Sequence, residues 1–145
     1  MNAASRVKAG WQFWSISGIS LLWNAFGCVD YTMTELRNPD YLKNFPPEMM
    51  TVIDAMPAWA TAMWAIGVWS SLLGSILLLM RSRHAVAAFM VSLVTALVSF
   101  AYQHSVALPP SLDTGSNWVM TVVILGAILF LWWYARRSRD AGILR

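Results

Sequence analysis

The chain has 145 residues, of which 58% are hydrophobic and 12% charged, with a formal net charge of +3. A soluble domain carries about twice that share of charge, and the apolar residues here fall in long runs. Those runs exclude an ordinary water-soluble domain. Once the charges are placed along the sequence, they also exclude nucleic acid as the reason for the basic balance.

The first run extends from about Gly10 to Thr34. Its residues Ser17, Ser20, Asn24, Gly27, Tyr31 and Thr34 follow spacings of three and four, forming one small or polar stripe on a helix. The stretch WNAFGCVDY at 23–31 sets an amide, a thiol, a carboxylate and a phenol inside this span. The one substantial loop, residues 35–56, expected on the outer side, then carries PPEMMTVIDAM. Met50, Ile53 and Met56 there stand at helical spacing opposite Glu48 and Asp54, after two prolines suited to a helix start. We expect a short amphipathic helix from about Pro47 to Ala55, on the membrane surface or capping the bundle.

A second span is expected from about Pro57 to Met80, with Gly67, Ser71, Gly74 and Ser75 in overlapping small-xxx-small patterns. Only RSRH separates it from a third, about Ala85 to Leu108, so the two must form a helical hairpin. The third repeats the stripe with Ala88, Ser92, Thr95, Ser99 and Tyr102. Small residues let helix backbones approach, and hydroxyls and amides bond across the seam. Pro109 and Pro110 close this span. The fourth, about Asn117 to Tyr134, is nearly all aliphatic and is expected at the periphery. Each run has roughly the 20 residues needed to cross a bilayer. The fold expected is therefore all-α: one polytopic four-transmembrane-helix bundle over residues 1–145.

Eight of the ten basic residues (Arg6, Lys8, Arg81, Arg83, Arg136, Arg137, Arg139, Arg145) flank one side of these spans. Six of the seven acids (Asp30, Glu35, Asp40, Glu48, Asp54, Asp113) fall on the other. The positive-inside rule then puts both termini in the cytoplasm. Trp11, Trp14, Trp59, Trp118, Trp132 and Trp133 lie near span ends, at the depth of aromatic belts; Trp23, Trp64 and Trp69 lie deeper. AFGC at 25–28 is a poor lipoprotein cleavage box, and no small-x-small site precedes it, so no segment is expected to be removed.

Asp30 is the only acid within, or at the outer edge of, a span. An unpaired carboxylate there is expensive, and two cationic partners are in reach. Arg37 is seven residues on, and His104 sits at the outer end of the third span beside Tyr102 and Gln103. An Asp–His pair would make a proton-linked site, because histidine titrates near physiological pH; the alternative is an interfacial salt bridge fastening the loop. Asn24, two turns deeper than Tyr31, either bonds across the bundle or meets a ligand. Cys28 has no base beside it and reads as packing. The candidate ligand-binding or proton-linked residues are Asn24, Asp30, Tyr31, Arg37, Tyr102, Gln103 and His104. No catalytic signature, closed metal set or cofactor motif appears.

WNAFGCVDYTMTELRNPDYL followed by PAWATAMWAIGVWSSLLGSILLLMRS resembles a group of small four-span bacterial inner-membrane proteins often labelled "sugar transporter". The resemblance covers about two-thirds of the chain, with WNxFGxxDYxMT its most specific part, and implies a bacterial inner membrane. In layout the chain is also similar to the EXPERA proteins, which include sterol isomerases. Asp30, Asp54 and the PAW at 57–59 match that layout, while the second span here carries no acid. Three function classes stay open. They are a small solute carrier or channel, oligomeric because four helices enclose little; a non-catalytic accessory or assembly subunit of a larger membrane complex; and a small membrane enzyme or lipid-ligand receptor.

Overall fold

The computed structural model describes residues 7–145, so Arg6 lies outside the described residues. The chain is all-helical. Four long helices, α1 (Trp11–Glu35), α4 (Ala58–Leu79), α5 (Ala85–Ser105) and α6 (Gly115–Asp140), carry two short ones, α2 (Pro39–Leu42) and α3 (Glu48–Asp54), in the loop after α1. The boundaries follow local chemistry. Extended Pro57 precedes α4, and Asn38 caps α2 with its side chain ahead of Pro39 at the first helical position.

Three helices end in the same way. After α1, Arg37 N–H donates to Thr34 O and Asn38 N–H to Met33 O. After α4, Arg81 and Ser82 do the same to Leu78 O and Leu77 O, and after α6, Gly142 and Ile143 to Arg139 O and Ser138 O. Each is a six-to-one and five-to-two closure that needs a left-handed residue at its turn. Glycine supplies it after α6, whereas Arg37 (φ 54°) and Arg81 (φ 58°) supply it after α1 and α4. An arginine in that conformation costs about 1 kcal/mol, so its side chain must earn the position. Arg81 does so by donating to Ile143 O (2.9 Å) and Val7 O (2.8 Å).

The long helices stand in a row. α4 packs between α1 and α5, and α6 packs on α5. α1 and α6 approach at one end, where Phe13 stacks on Tyr134 with ring centroids 6.3 Å apart. Phe13, Leu78, Ala85, Phe89, Leu131, Ala135 and Leu144 form an apolar core there. Lys8, Arg81, Arg83, Arg136 and Arg139 belong to that end by their place on the helices, whereas Asp30, Glu35, Asp54 and Asp113 belong to the opposite one.

Three helices, α4, α5 and α6, are long and apolar enough to cross a membrane. The expectation of four such spans is met for three. α1 has the length, 25 residues or about 38 Å, but Gln12, Ser15, Ser17, Ser20, Asn24 and Asp30 dilute its apolar character. α5 stops at Ser105, short of the expected 108, because Val106 is already extended. α6 runs to Asp140 rather than 134, since ARRSRD continues the helix past the aliphatic stretch. A short helix does occupy 48–54, close to the expected 47–55, with Met50 and Ile53 half-buried and Glu48 and Asp54 exposed.

Candidate functional site

Polar groups concentrate in two places, the middle of the α1/α4/α5 seams and the end opposite the basic cluster. In the middle, Asn24 is buried and spends its whole amide on α4. Its Nδ2 donates to Ser75 Oγ (2.7 Å) and Ser71 O (3.3 Å), and its Oδ1 accepts from Ser71 Oγ (2.8 Å). Ser20 Oγ donates to Ser75 Oγ at 3.1 Å and to Ser17 O at 2.8 Å. One turn further along, Cys28 Sγ donates to Val68 O at 3.3 Å. Across the other seam, Ser92 Oγ donates to Gly67 O at 2.8 Å. In low dielectric such bonds replace water that the seam excludes.

Three aromatic pairs close the end opposite the basic cluster, one per seam. Tyr31 of α1 meets Trp64 of α4 edge-on at 4.9 Å, and Trp59 of α4 meets Tyr102 of α5 edge-on at 5.2 Å. His104 of α5 stacks flat on Trp118 of α6 at 3.8 Å. The rings are therefore spent on each other, edge to face or stacked, the geometries their quadrupoles favour. His104 Nε2 is buried with no hydrogen-bond partner among the described residues. Gln103 is half-buried beside it.

Asp30 pairs with neither expected cation. Its carboxylate accepts from the Tyr41 hydroxyl, brought over it by the Asn38-capped turn of α2, where Asn38 Oδ1 accepts from Tyr41 N–H at 3.0 Å. Arg37 instead forks onto Asp54, with Nη2–Oδ1 at 2.5 Å and Nη1–Oδ2 at 3.2 Å, both side chains exposed. Burial first, then the Asp30 carboxylate, push the Tyr41 phenol up to about 12. The Arg37 guanidinium holds the Asp54 carboxyl below its ordinary value.

The seven expected site residues thus divide. Asn24 belongs to the central network; Asp30, Tyr31 and Arg37 stand at the C-terminal end of α1, each with a different partner; Tyr102, Gln103 and His104 stand at the end of α5. Sequence reasoning missed Tyr41 and the Arg37–Asp54 fork. The signal was present in RNPDY, whose Asn-Pro start turns the chain back over the end of α1.

The chain was compared with protein-family models, curated proteins and solved structures, and it matches none of them.

Proposed function

We propose that the chain is a four-span protein of a bacterial inner membrane, both termini cytoplasmic, acting as a non-catalytic accessory or assembly subunit of a larger membrane complex. The observation that carries this reading is the closed Asn24–Ser71–Ser75–Ser20 network. A conduit needs polar groups left free for a solute, and here Asn24, the only amide within the spans' middle, is used up on Ser71 and Ser75. What remains for function is the outside. The first half of α6 supports this, because Trp118, Val119, Met120, Val122 and Val123 are all exposed while the second half packs on α5 and α1. α1 spans in this reading because Ser20, Asn24 and Cys28, in its middle, bond to α4 rather than facing lipid, and α3 lies on the outer surface as an amphipathic cap. Grouping of the basic residues at one end supports the orientation.

Native electrophoresis of the full chain extracted from its membrane tests the reading. The wild type should migrate as an assembly well above its own 16.2 kDa. Val119→Lys in α6 should release a smaller species that is still inserted, while Ile66→Lys on α4 should not. A wild type that migrates alone overturns it. Reporter fusions at residue 145 and within 35–56 test orientation separately, and a periplasmic C-terminus overturns the four-span arrangement.

A small solute carrier is the second reading, favoured by His104 Nε2, a buried polar atom left without a partner beside Tyr102 and Gln103. It also agrees with the resemblance of WNAFGCVDYTMT to proteins labelled sugar transporter. Under it, Asp30→Asn should abolish uptake in cells while the protein stays folded and inserted.

A further inference from the structure

The basic end holds a groove between α5 and α6 of about 360 Å³, lined by Arg83, His84, Val86, Ala87, Met90, Trp132 and Arg139. We propose that this groove binds the headgroup of an anionic phospholipid, an inference that rests on the four-span reading.

Two chemistries meet in the groove. Arg83, His84 and Arg139 supply nitrogen donors, and the Arg136 guanidinium sits over the Trp132 ring, 5.0 Å from its centroid, adding charge at the rim. The counter-charge is small. Asp140 contacts Arg139 at 3.2 Å, whereas Arg83 forms no ion pair among the described residues. Guanidinium forks match phosphate oxygens in pairs, so the phosphate of a lipid is a suitable acceptor. Val86, Ala87, Met90 and Trp132 make the rest of the wall, and a free inorganic anion would leave them uncovered.

Continuity with the apolar surface points the same way. Below the groove, Met90, Val94 and Leu97 stand exposed on α5 at spacings of four and three, an open apolar stripe for an acyl chain to follow. The volume is near the low end of ligand pockets, about 300–1,000 Å³, enough for a headgroup but not for tails. Trp132 fixes the depth, since its ring belongs to the aromatic belt where headgroups lie. Basic pockets between helices on the cytoplasmic side are suited to phosphate-bearing headgroups. A zwitterionic lipid brings the same phosphate, but also an amine that the arginines repel.

The test is native mass spectrometry of the purified full chain in detergent, titrated with phosphatidylglycerol, phosphatidylcholine or inorganic phosphate. The wild type should retain phosphatidylglycerol at least about tenfold more strongly than phosphatidylcholine. Arg83→Gln/Arg139→Gln should remove most of that preference. Lys8→Gln/Arg137→Gln, which takes the same charge from the same end outside the groove, should keep it. Equal loss in both double variants means diffuse attraction and overturns the site, as does equal retention of the two lipids. Inorganic phosphate displacing phosphatidylglycerol at equal concentration means a small-anion site and also overturns it. Failure of the orientation fusions leaves the retention measurements readable, so failure of the four-span reading and failure of the site are distinguishable.

Discussion

The Tyr41 hydroxyl donates to the Asp30 carboxylate, tying the loop after α1 back onto the end of that helix. Asp30 is the acid nearest the apolar zone, and this bond gives it a neutral partner that brings no second charge to be desolvated. Arg37, four residues before Tyr41, could have served, but it leaves the helix in a left-handed conformation and pairs with Asp54 instead.

Tyr41→Phe should therefore destabilise the fold by about 1–2 kcal/mol, the range for a hydrogen bond to a charged group less what water recovers at a half-buried site. Thermal unfolding in detergent measures it. Asp30→Asn should cost less than Tyr41→Phe, because an amide oxygen still accepts from the phenol.

The same pair sets an alkaline limit. With its phenol raised from 10.0 to about 12, Tyr41 favours the neutral form in the folded state. Its contribution is fully present below about pH 10 and is lost as pH rises through about 12. An ultraviolet phenolate titration should lose its latest-ionising component in Tyr41→Phe. An unchanged titration curve in that variant would contradict the assignment.

Asp54 works in the opposite direction. Its carboxyl is held below the ordinary 3.8 by Arg37, so the contribution of this fork is present above that value and fades as pH falls through the lowered one. Both partners are exposed, and salt should screen them. Trypsin cleavage after exposed Lys43 reports the loop. It should accelerate in Asp54→Asn and in high salt for the wild type, and salt should add little in the variant.

Much of the packing was legible because it is periodic. Gly67, Ser71, Gly74 and Ser75 are all buried, as are Ala88, Ser92, Thr95 and Ser99. On α1 the stripe holds for Ser17, Ser20, Asn24 and Thr34, whereas Cys28 is buried where Gly27 was expected, and Tyr31 is half-buried. A straight helix has 3.6 residues per turn, so a stripe drawn with a strict heptad drifts by about 20° per repeat. That drift is too small to carry the seam from 27 to 28 by itself, and Thr34 keeps its expected face. The end opposite the basic cluster was not legible in this way. Its partners are chosen by a loop with no period, where one capped turn decides that Tyr41 rather than Arg37 or His104 reaches Asp30.

Asn24→Ala should destabilise the bundle by about 1–3 kcal/mol, since interhelical bonds in membranes contribute about 0.6–2 kcal/mol each and Asn24 makes three. The loss should be partial, because Ser75 Oγ still has Ser71 O at 3.3 Å. Ser71→Ala in the Asn24→Ala background should then cost less than in the wild type. Additive losses would show that the two side chains do not act as one network.

Gly74 has the least room of the glycines. A methyl group placed there would lie 2.8 Å from Phe89 Cδ1 and Cε1 and 3.0 Å from Cζ. Phe89 is fully buried in the apolar core, so its ring has nowhere to retreat. Gly74→Ala should cost about 1–3 kcal/mol through overpacking. Gly126→Ala, with nothing within 4 Å of the new methyl, should be near neutral. The decisive comparison is the double variant. Phe89→Leu alone leaves a cavity and destabilises, but it removes the ring that the new methyl would strike. Gly74→Ala/Phe89→Leu should therefore be more stable than the sum of the two single losses allows, by about 1 kcal/mol or more. Thermal unfolding of all four proteins in one detergent measures the coupling. If the losses simply add, the α4/α5 seam is looser at Gly74 than its geometry implies.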